Sequence, residues 1–410
     1  LKQVTFSRHL LKKDAYFMSS NSVRDPFIVE KLFCPGPTPV PLEVQLAGIE
    51  SSVYHRSEAF YQIFLESRKL LKPFFGSQDL PLILTSSGTG AMEAAVVNLT
   101  NPGDQVAVVV GGKFGERWEK LCKAYQCHYK TYRIASGSAP EPHKVAELAA
   151  ELDIPKAVFI QANETSTGVF YPVREIAAAI RSHPKLKDCL IIVDAVSALC
   201  AHQVCMSDWD IDCVVAGSQK GFGVPPGLSF IALSKRALNS FSTRPRFYFD
   251  LQREIKGQDL GQTAWTPAST IVQSLHAALT QLHQIGIDQV FNHHQKLAQA
   301  TQAATHALGL ELFARHHWSH ALTAVKVPES INGKTLLKTL RLRFGTIFAG
   351  GQDELEGKII RISHLGFVDR FHIISGIAAL EFALAELGFP VKLGTGVSAA
   401  MSVLHDQPQT

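Results

Sequence analysis

The stretch DCVVAGSQKGFGVPPGLSFIALS, residues 212–234, is two apolar runs joined by a turn of glycine and proline, with a lysine at the mouth of the turn. Neither run alternates apolar with polar residues. Each therefore reads as a strand covered on both faces, which is the habit of a mostly parallel sheet with helices on either side. A charged amine at the end of such a strand is costly unless it has a partner or a covalent task. In a desolvated pocket Lys220 would lose proton affinity and become a nucleophile able to form a Schiff base. The plainer alternative is a lysine whose stem is covered while its head reaches water. Ser218 and Gln219 beside it are small or polar, and GFGVPPG makes a stiff turn that would hold the amine in place.

Upstream the same grammar repeats. PLILTSS (81–87) leads into GTGAMEAAVVNLT, a strand, a glycine turn and a helix. DQVAVVVGG (104–112) leads into FGERWEKLCKAY, KAVFIQANE (156–164) into VREIAAAIRSH, and CLIIVDAVSA (189–198) into the stretch at 212. This predicts a large α/β domain over residues 49–285. Beyond it, the helical HHQKLAQATQAATHAL precedes strands at ALTAVKVP (321–328) and KIIRISHLG (358–366), and FHIISGIAALEFALAELG reads as an amphipathic helix. Residues 286–410 are thus expected to form a smaller C-terminal α/β domain. FCPGPTPVP (33–41), with four prolines in nine residues, cannot be regular structure. Residues 1–48 accordingly read as an N-terminal extension and inter-domain connector.

The bulk numbers narrow the function classes. A chain of 410 residues suits two linked domains, and 46% apolar with 19% charged content is ordinary for a globular protein. The net charge of +4 is mild and no basic run stands out, so nucleic acid is not an expected partner. No apolar stretch reaches the length of a membrane span. LKQVTFSRHLLKKDAYF lacks the apolar run of a secretory signal, although it could serve as an organelle transit peptide, and HDQPQT is no peroxisomal address. The first 30 residues are too short for a helix-turn-helix module. Cys34, Cys122, Cys127, Cys189, Cys200, Cys205 and Cys213 show no CxxC spacing, and several sit in apolar runs. Buried thiols in a cytoplasmic, reducing compartment are expected. In RHHWSH, His316, His317 and His320 have a spacing that would suit metal ligands on a helix. They match no motif, so surface histidines and no metal are the expectation.

Ligands of open α/β sheets bind at the carboxyl ends of the strands, and four unusual features collect there. TSSGTGAMEAA (85–95) offers backbone N–H groups at a helix N-terminus, suited to an anion. Glu93 stands where a dinucleotide fingerprint needs its third glycine, and a Walker A ending is missing, so a plain phosphate cradle or an ordinary turn remains. Asp194 closes the apolar strand LIIVD and needs compensation from a cationic ring nitrogen, a metal or a helix terminus, unless it only caps. Lys220 follows 26 residues later (220 − 194). Arg361, between apolar neighbours in KIIRISHLG, could grip a carboxylate bidentately or make an edge-strand salt bridge. Together these are the needs of pyridoxal 5′-phosphate acting on an amino acid.

In these residues the chain resembles the class V, fold type I aminotransferases, and most closely the alanine–glyoxylate, serine–pyruvate and serine–glyoxylate group. The resemblance runs from about PGPTPVP (35–41) to the end, through HRSEAF (55–60), SSGTGAMEA (86–94), GGKFGERW (111–118), NETSTGV (163–169), VDAVSAL (193–199), GSQKGFGVPPG (217–227) and RISHLG (361–366). GSQK followed by PPG is the most specific of these. The resemblance implies a large domain with a mostly parallel seven-stranded sheet, and pyridoxal phosphate as cofactor. It implies that Lys220 forms the Schiff base and moves the proton, and that Asp194 keeps the ring nitrogen protonated. Ser87, Gly88 and Thr89 would hold the phosphate, joined by Gln219. Phe114 would stack on the ring where tryptophan is common, Thr165 would bond the ring hydroxyl, and Val196 would line the cofactor site. Thr263 and Thr266 would reach the phosphate across a homodimer interface, with tyrosine often standing at the position of Thr263. Arg361 would bind the substrate carboxylate, with Gly36 lining the same pocket.

The implied reaction is a ping-pong transamination between a small L-amino acid, alanine or serine, and a 2-oxo acid such as glyoxylate or pyruvate. A phosphonate or aspartate donor is the alternative within the family. Sulfur-transferring relatives need a cysteine from the C-terminal part and stack a histidine on the ring. This chain has no cysteine beyond Cys213 and has Phe114 at that place. A non-catalytic protein that keeps the fold is the reading from another class, and retention of Lys220, Asp194 and Arg361 argues against it.

Overall fold

A computed structural model describes residues 28–50 and 53–405. The expectations about the N-terminal targeting segment, the first 27 residues and the last five therefore lie outside the described residues. In chain order the first elements are β1 (Lys31–Phe33), α1 (Leu42–Ile49), α2 (Glu58–Phe75), β2 (Leu82–Leu84), α3 (Gly88–Leu99), β3 (Gln105–Val110), α4 (Lys113–Ala124) and β4 (His128–Arg133). Then come α5 (Pro142–Ala150), β5 (Pro155–Gln161), β6 (Asn163–Glu164), β7 (Val169–Phe170), α6 (Val173–Ser182), β8 (Leu190–Asp194), β9 (Cys213–Gly217) and β10 (Ser229–Leu233). The rest comprises α7 (Lys235–Leu238), α8 (Leu251–Gln258), α9 (Ser269–Ile285), α10 (Ile287–Ala307), β11 (Leu322–Lys326), α11 (Gly333–Phe344), β12 (Thr346–Gly350), β13 (Ile359–Ser363), α12 (Arg370–Glu386) and α13 (Thr395–His405).

Seven strands form the large sheet in the order β2-β10-β9-β8-β5-β3-β4, all parallel except β10, which runs against both of its neighbours. Alternation sorts their side chains into two cores. Ile191 and Val193 of β8 face a core shared with α2, α5, α6 and α9, whereas Leu190 and Ile192 face one shared with α3 and α4. Such double burial explains why these strands read as unbroken apolar runs. The second sheet has four strands in the order β1-β12-β13-β11, with Arg361 on the inner strand β13, paired to Ala324 on one side and Ala349 on the other. An edge-strand salt bridge for Arg361 is thereby ruled out.

Two expectations change. Residues 31–33, assigned to the connector, form the outer strand of the small sheet, because their backbone pairs in parallel with β12 while Phe33 is buried. The proline-rich residues after them do lie outside helix and strand until α1 begins at Leu42. The segment read as amphipathic is the helix α12, but it packs on α10, α11 and α13 at once and so carries apolar residues all round. The boundary we propose at residue 285 falls at Gly286, which has φ 95° and separates α9 from α10. No helix among the described residues is long and apolar enough to cross a membrane.

Candidate active site

β9 delivers Lys220 three residues beyond its end, into a turn bound to itself. The Ser218 hydroxyl donates to the Pro225 carbonyl at 2.7 Å and accepts from the Leu228 N–H, and the Gly223 N–H donates to the Lys220 carbonyl at 3.0 Å. The connector closes over the same place. The Thr38 hydroxyl donates to the Lys220 carbonyl at 2.9 Å, and its N–H to that of Gln219 at 3.2 Å. The Lys220 amine donates to the Pro35 carbonyl. Gly36, at φ 132°, leaves room for this amine, since a Cβ there would lie 2.2 Å from Nζ. Burial pulls the amine down to about 8, against the opposing pull of Asp194 and with help from the Arg361 and Arg117 charges.

β8 ends on Asp194, buried, one strand over from Lys220. Its Oδ1 accepts from the Val196 N–H at 2.8 Å. Burial pushes the carboxyl up to about 6, which Val196 and the Arg117 charge oppose and the nearby Glu164 reinforces. Ser197, in the same turn, meets the Thr165 hydroxyl at 2.5 Å and accepts from Asn163 Nδ2 at 2.9 Å. Gln161, the last residue of β5, is the register partner of Asp194.

Ser87, Gly88 and Thr89 lie where β2 gives way to α3. Ser87 is exposed, its side chain caps no N–H, and no acidic residue occupies the first turn. Those N–H groups and the helix dipole are therefore available to an anion. Gly88 abuts Val196, for a Cβ would come within 2.7 Å of Cγ2, and Gly217 brings Gln219 Oε1 near the Gly88 backbone. That Oε1 is buried without a partner. Phe114, half-buried in the first turn of α4, has the Arg117 guanidinium 5.0 Å from its ring centre.

From the small sheet, Arg361 donates through Nε to the Gly350 carbonyl at 2.9 Å and through Nη1 to the Thr165 carbonyl at 3.0 Å. Two of its five N–H groups are thus used in fixing its direction. Burial lowers its proton affinity, and Cys34 and Glu164 counter this. Cys34 feels both Arg361 and Lys220, so this thiol stands among the charged groups of the site, its pKa pushed up by burial.

Thr263 and Thr266 are not brought to Lys220 within the chain. They line a narrow cleft with Tyr248, Phe249, Glu254 and Trp265, and the Ala268 N–H ties the segment to the Thr85 hydroxyl at 3.1 Å. RHHWSH forms no helix, so the ligand spacing weighed for one does not arise. The segment is irregular, His316 and His317 are exposed, and His320 is half-buried with its ring stacked on His202 at 4.2 Å. The sequence reading gave no role to Glu164, Gln161 or Tyr171, which are buried together behind Phe114. A carboxylate three residues past the end of β5 was the signal available for Glu164.

These residues fit pyridoxal phosphate. An anion-ready helix start, a buried carboxyl still ionised at neutral pH and a lysine of lowered pKa match its phosphate, its ring cation and its aldehyde. Residues 42–353 match the pattern of the family described as Aminotransferase class-V. The chain is 41% identical over 384 residues to the "Soluble hydrogenase, small subunit" of Synechococcus sp. (strain PCC 6716), covering 91% of this chain and 98% of that one. It is 35% identical over 385 residues to the serine–glyoxylate aminotransferase of Hyphomicrobium methylovorum, covering 91% and 94%. A solved aspartate aminotransferase of subgroup IV from Thermus thermophilus superposes with a TM-score of 0.82 at 32% identity, over 87% of this chain and all of that one.

Proposed function

The chain is a member of the class-V aminotransferase family, which depends on pyridoxal phosphate, and from that premise we propose that it moves an amino group from a small L-amino acid, alanine or serine, to a 2-oxo acid such as glyoxylate or pyruvate. One observation carries the proposal: the Asp194 carboxyl and the Arg361 guanidinium are both near enough to act on the charge of the buried Lys220 amine. When bound, pyridoxal phosphate supplies an aldehyde for an amine and an electron-accepting ring.

Lys220 would tether the cofactor. With its pKa at about 8, roughly a fifth of the amine is neutral at pH 7.4, against about a thousandth for an ordinary lysine. Released by the substrate amine, the same Nζ would take the proton from the substrate Cα and later return one. Asp194, ionised above about pH 6, would hold a proton on the ring nitrogen. Ser87, Gly88, Thr89 and Gln219 would bind the phosphate, Phe114 and Val196 would flank the ring, and Thr165 would bond its hydroxyl. Arg361 would receive the substrate carboxylate with a direction fixed in advance by Gly350 and Thr165. Gly36 would complete that pocket.

The relative named for a hydrogenase would make this chain a subunit of another enzyme; the full set of lysine, aspartate and arginine favours catalysis instead. An aspartate donor gains support from the Thermus structure. We further propose a homodimer, in which Thr263 and Thr266 face the partner's phosphate site. Large apolar side chains exposed at Leu42, Ile49, Phe247 and Leu260 support this. Seven free thiols support a cytoplasmic location. The test is the visible absorbance of the purified protein before and after L-alanine, L-serine or L-aspartate. Bleaching of a yellow band by one of them identifies cofactor and donor together. A colourless protein that takes up no pyridoxal phosphate would sink the proposal.

A further inference from the structure

Glu164 is fully buried, and its hydrogen bonds come from neutral donors. A buried carboxylate is costly unless donors saturate it. Five do. Oε1 accepts from the Phe114 N–H at 3.4 Å, the Ser166 N–H at 3.1 Å and the Ser166 hydroxyl at 2.5 Å; Oε2 accepts from the Gly115 N–H at 3.2 Å and Gln161 Nε2 at 3.0 Å. Two of these donors belong to the first turn of α4, whose N–H groups have no partner inside the helix. The N-cap of that helix, Gly112, has no side chain to offer, so β6 supplies the cap from outside. The fit is close: a Cβ on Gly112 would fall 2.5 Å from Glu164 Cδ and 2.3 Å from Ser166 Oγ. Ser166 also accepts from the Lys113 N–H at 3.1 Å.

What the carboxylate anchors reaches all sides of the site. Along the helix it fixes Phe114. Just past its strand the next residue, Thr165, presents its carbonyl to Arg361 Nη1 and its hydroxyl to Ser197, in the turn that follows Asp194. Ring face, aspartate turn and carboxylate clamp therefore share one buried joint, at residues 163–166.

We propose that Glu164 is a positioning residue, which clamps the first turn of α4 to Ser166 and so sets both how tightly the cofactor is held against Phe114 and how well Arg361 receives the substrate carboxylate. The assignment rests on the aminotransferase reading. Glu164→Gln keeps the size but points an amide N–H₂ at N–H donors that need an acceptor. The full-length chain, stripped of cofactor, is titrated with pyridoxal phosphate by absorbance, and KM and kcat for the amino donor are measured after reloading at saturating cofactor. The expected result is a Kd for the cofactor weakened at least tenfold, and a KM raised by a larger factor than kcat falls. Ser166→Ala, which removes one bridge of the same joint, is expected to shift both in the same direction by a smaller factor, and it decides the matter if Glu164→Gln does not fold. Kd and KM within twofold of wild type would overturn the assignment, and a lowered melting temperature alongside them would make Glu164 a residue of stability alone. Wild-type chain that takes up no cofactor overturns the aminotransferase reading, and this assignment with it.

Discussion

Burial pushes Asp194 and Lys220 toward neutrality from opposite sides, and each displacement has a measurable sign. For Asp194 the carboxyl rises from an ordinary 3.8 to about 6. Above pH 6 it is charged in both folded and unfolded chain, so the full cost of burying the charge is present. As the pH falls from 6 toward 3.8 the folded chain takes up a proton before the unfolded one does, and the cost disappears. Asp194→Asn in the cofactor-free protein should therefore gain up to about 3 kcal/mol at pH 7.5, with the gain fading below pH 6 and gone near pH 4. Urea unfolding across that range checks it; a gain independent of pH would remove the buried charge as its cause. The same variant should lose turnover. Lys220→Ala should lose at least about a thousandfold in kcat while still binding cofactor without the covalent band, and near-wild-type turnover would deny Lys220 its role. For Arg361→Ala, loss of a charge-assisted grip costs about 2–3 kcal/mol, or roughly 30- to 160-fold in KM. Arg361→Lys should not restore it, because a point charge cannot reproduce the fork held by Gly350 and Thr165.

Among elements, the glycine of the connector carries the sharpest demand. Gly36 combines φ 132° with a Cβ position occupied by the Lys220 amine. Gly36→Ala should therefore both strain the backbone, at about 1–3 kcal/mol, and drive the amine from its place. Slower cofactor uptake with a lowered melting temperature is the expected outcome, and uptake at the wild-type rate would mean that the connector can give way. The elements also differ in how far they could be read in the sequence. β2, β3, β5, β8, β9 and β10 announced themselves because both faces of each are covered, which forces an apolar run. β4, HYKTYR, did not. It is an edge strand, half exposed along its length, and its polar residues hide it among the helices. β1 and β12 are short or follow a helix directly, so their pairing is decided by contacts distant in the chain. The site shows the same division. Lys220, Asp194 and Arg361 stood out as charges on apolar strands, whereas Glu164 sits in the polar run NETSTG, where one more polar side chain draws no notice.

The two sheets meet where four histidines come together, and their pKa values tie the whole molecule to acid. His202, in the turn after β8, stacks on Phe170 at 3.8 Å and on His320 at 4.2 Å, and its Nε2 accepts from the His320 N–H. His364, just past β13, bonds the His320 carbonyl and the Thr323 hydroxyl; His294 of α10 accepts from the Gly366 N–H through Nε2. Burial drives His364 down to about 3 and His294 to about 4, reinforced in both by neighbouring histidines, while His202 also lies well below its ordinary value. A histidine held neutral in the fold gives its full stabilisation above pH 6.5, and loses it as the unfolded chain begins to bind protons that the folded chain refuses. Each such group then removes about 1.4 kcal/mol of stability per pH unit below 6.5. Asp194, and Glu164 with a carboxyl likewise raised by burial, act the other way in acid. A comparison of wild type with one histidine variant cancels their contribution. His364→Gln keeps a polar group at the joint but cannot take a proton. Whatever fixed amount it costs at pH 7.5, its stability should fall less between pH 6.5 and 5 than that of the wild type, by about 2 kcal/mol. Unfolding midpoints in urea at the two pH values measure the difference. Parallel slopes would mean that His364 is protonated in the folded chain, and that the joint between the sheets tolerates charge.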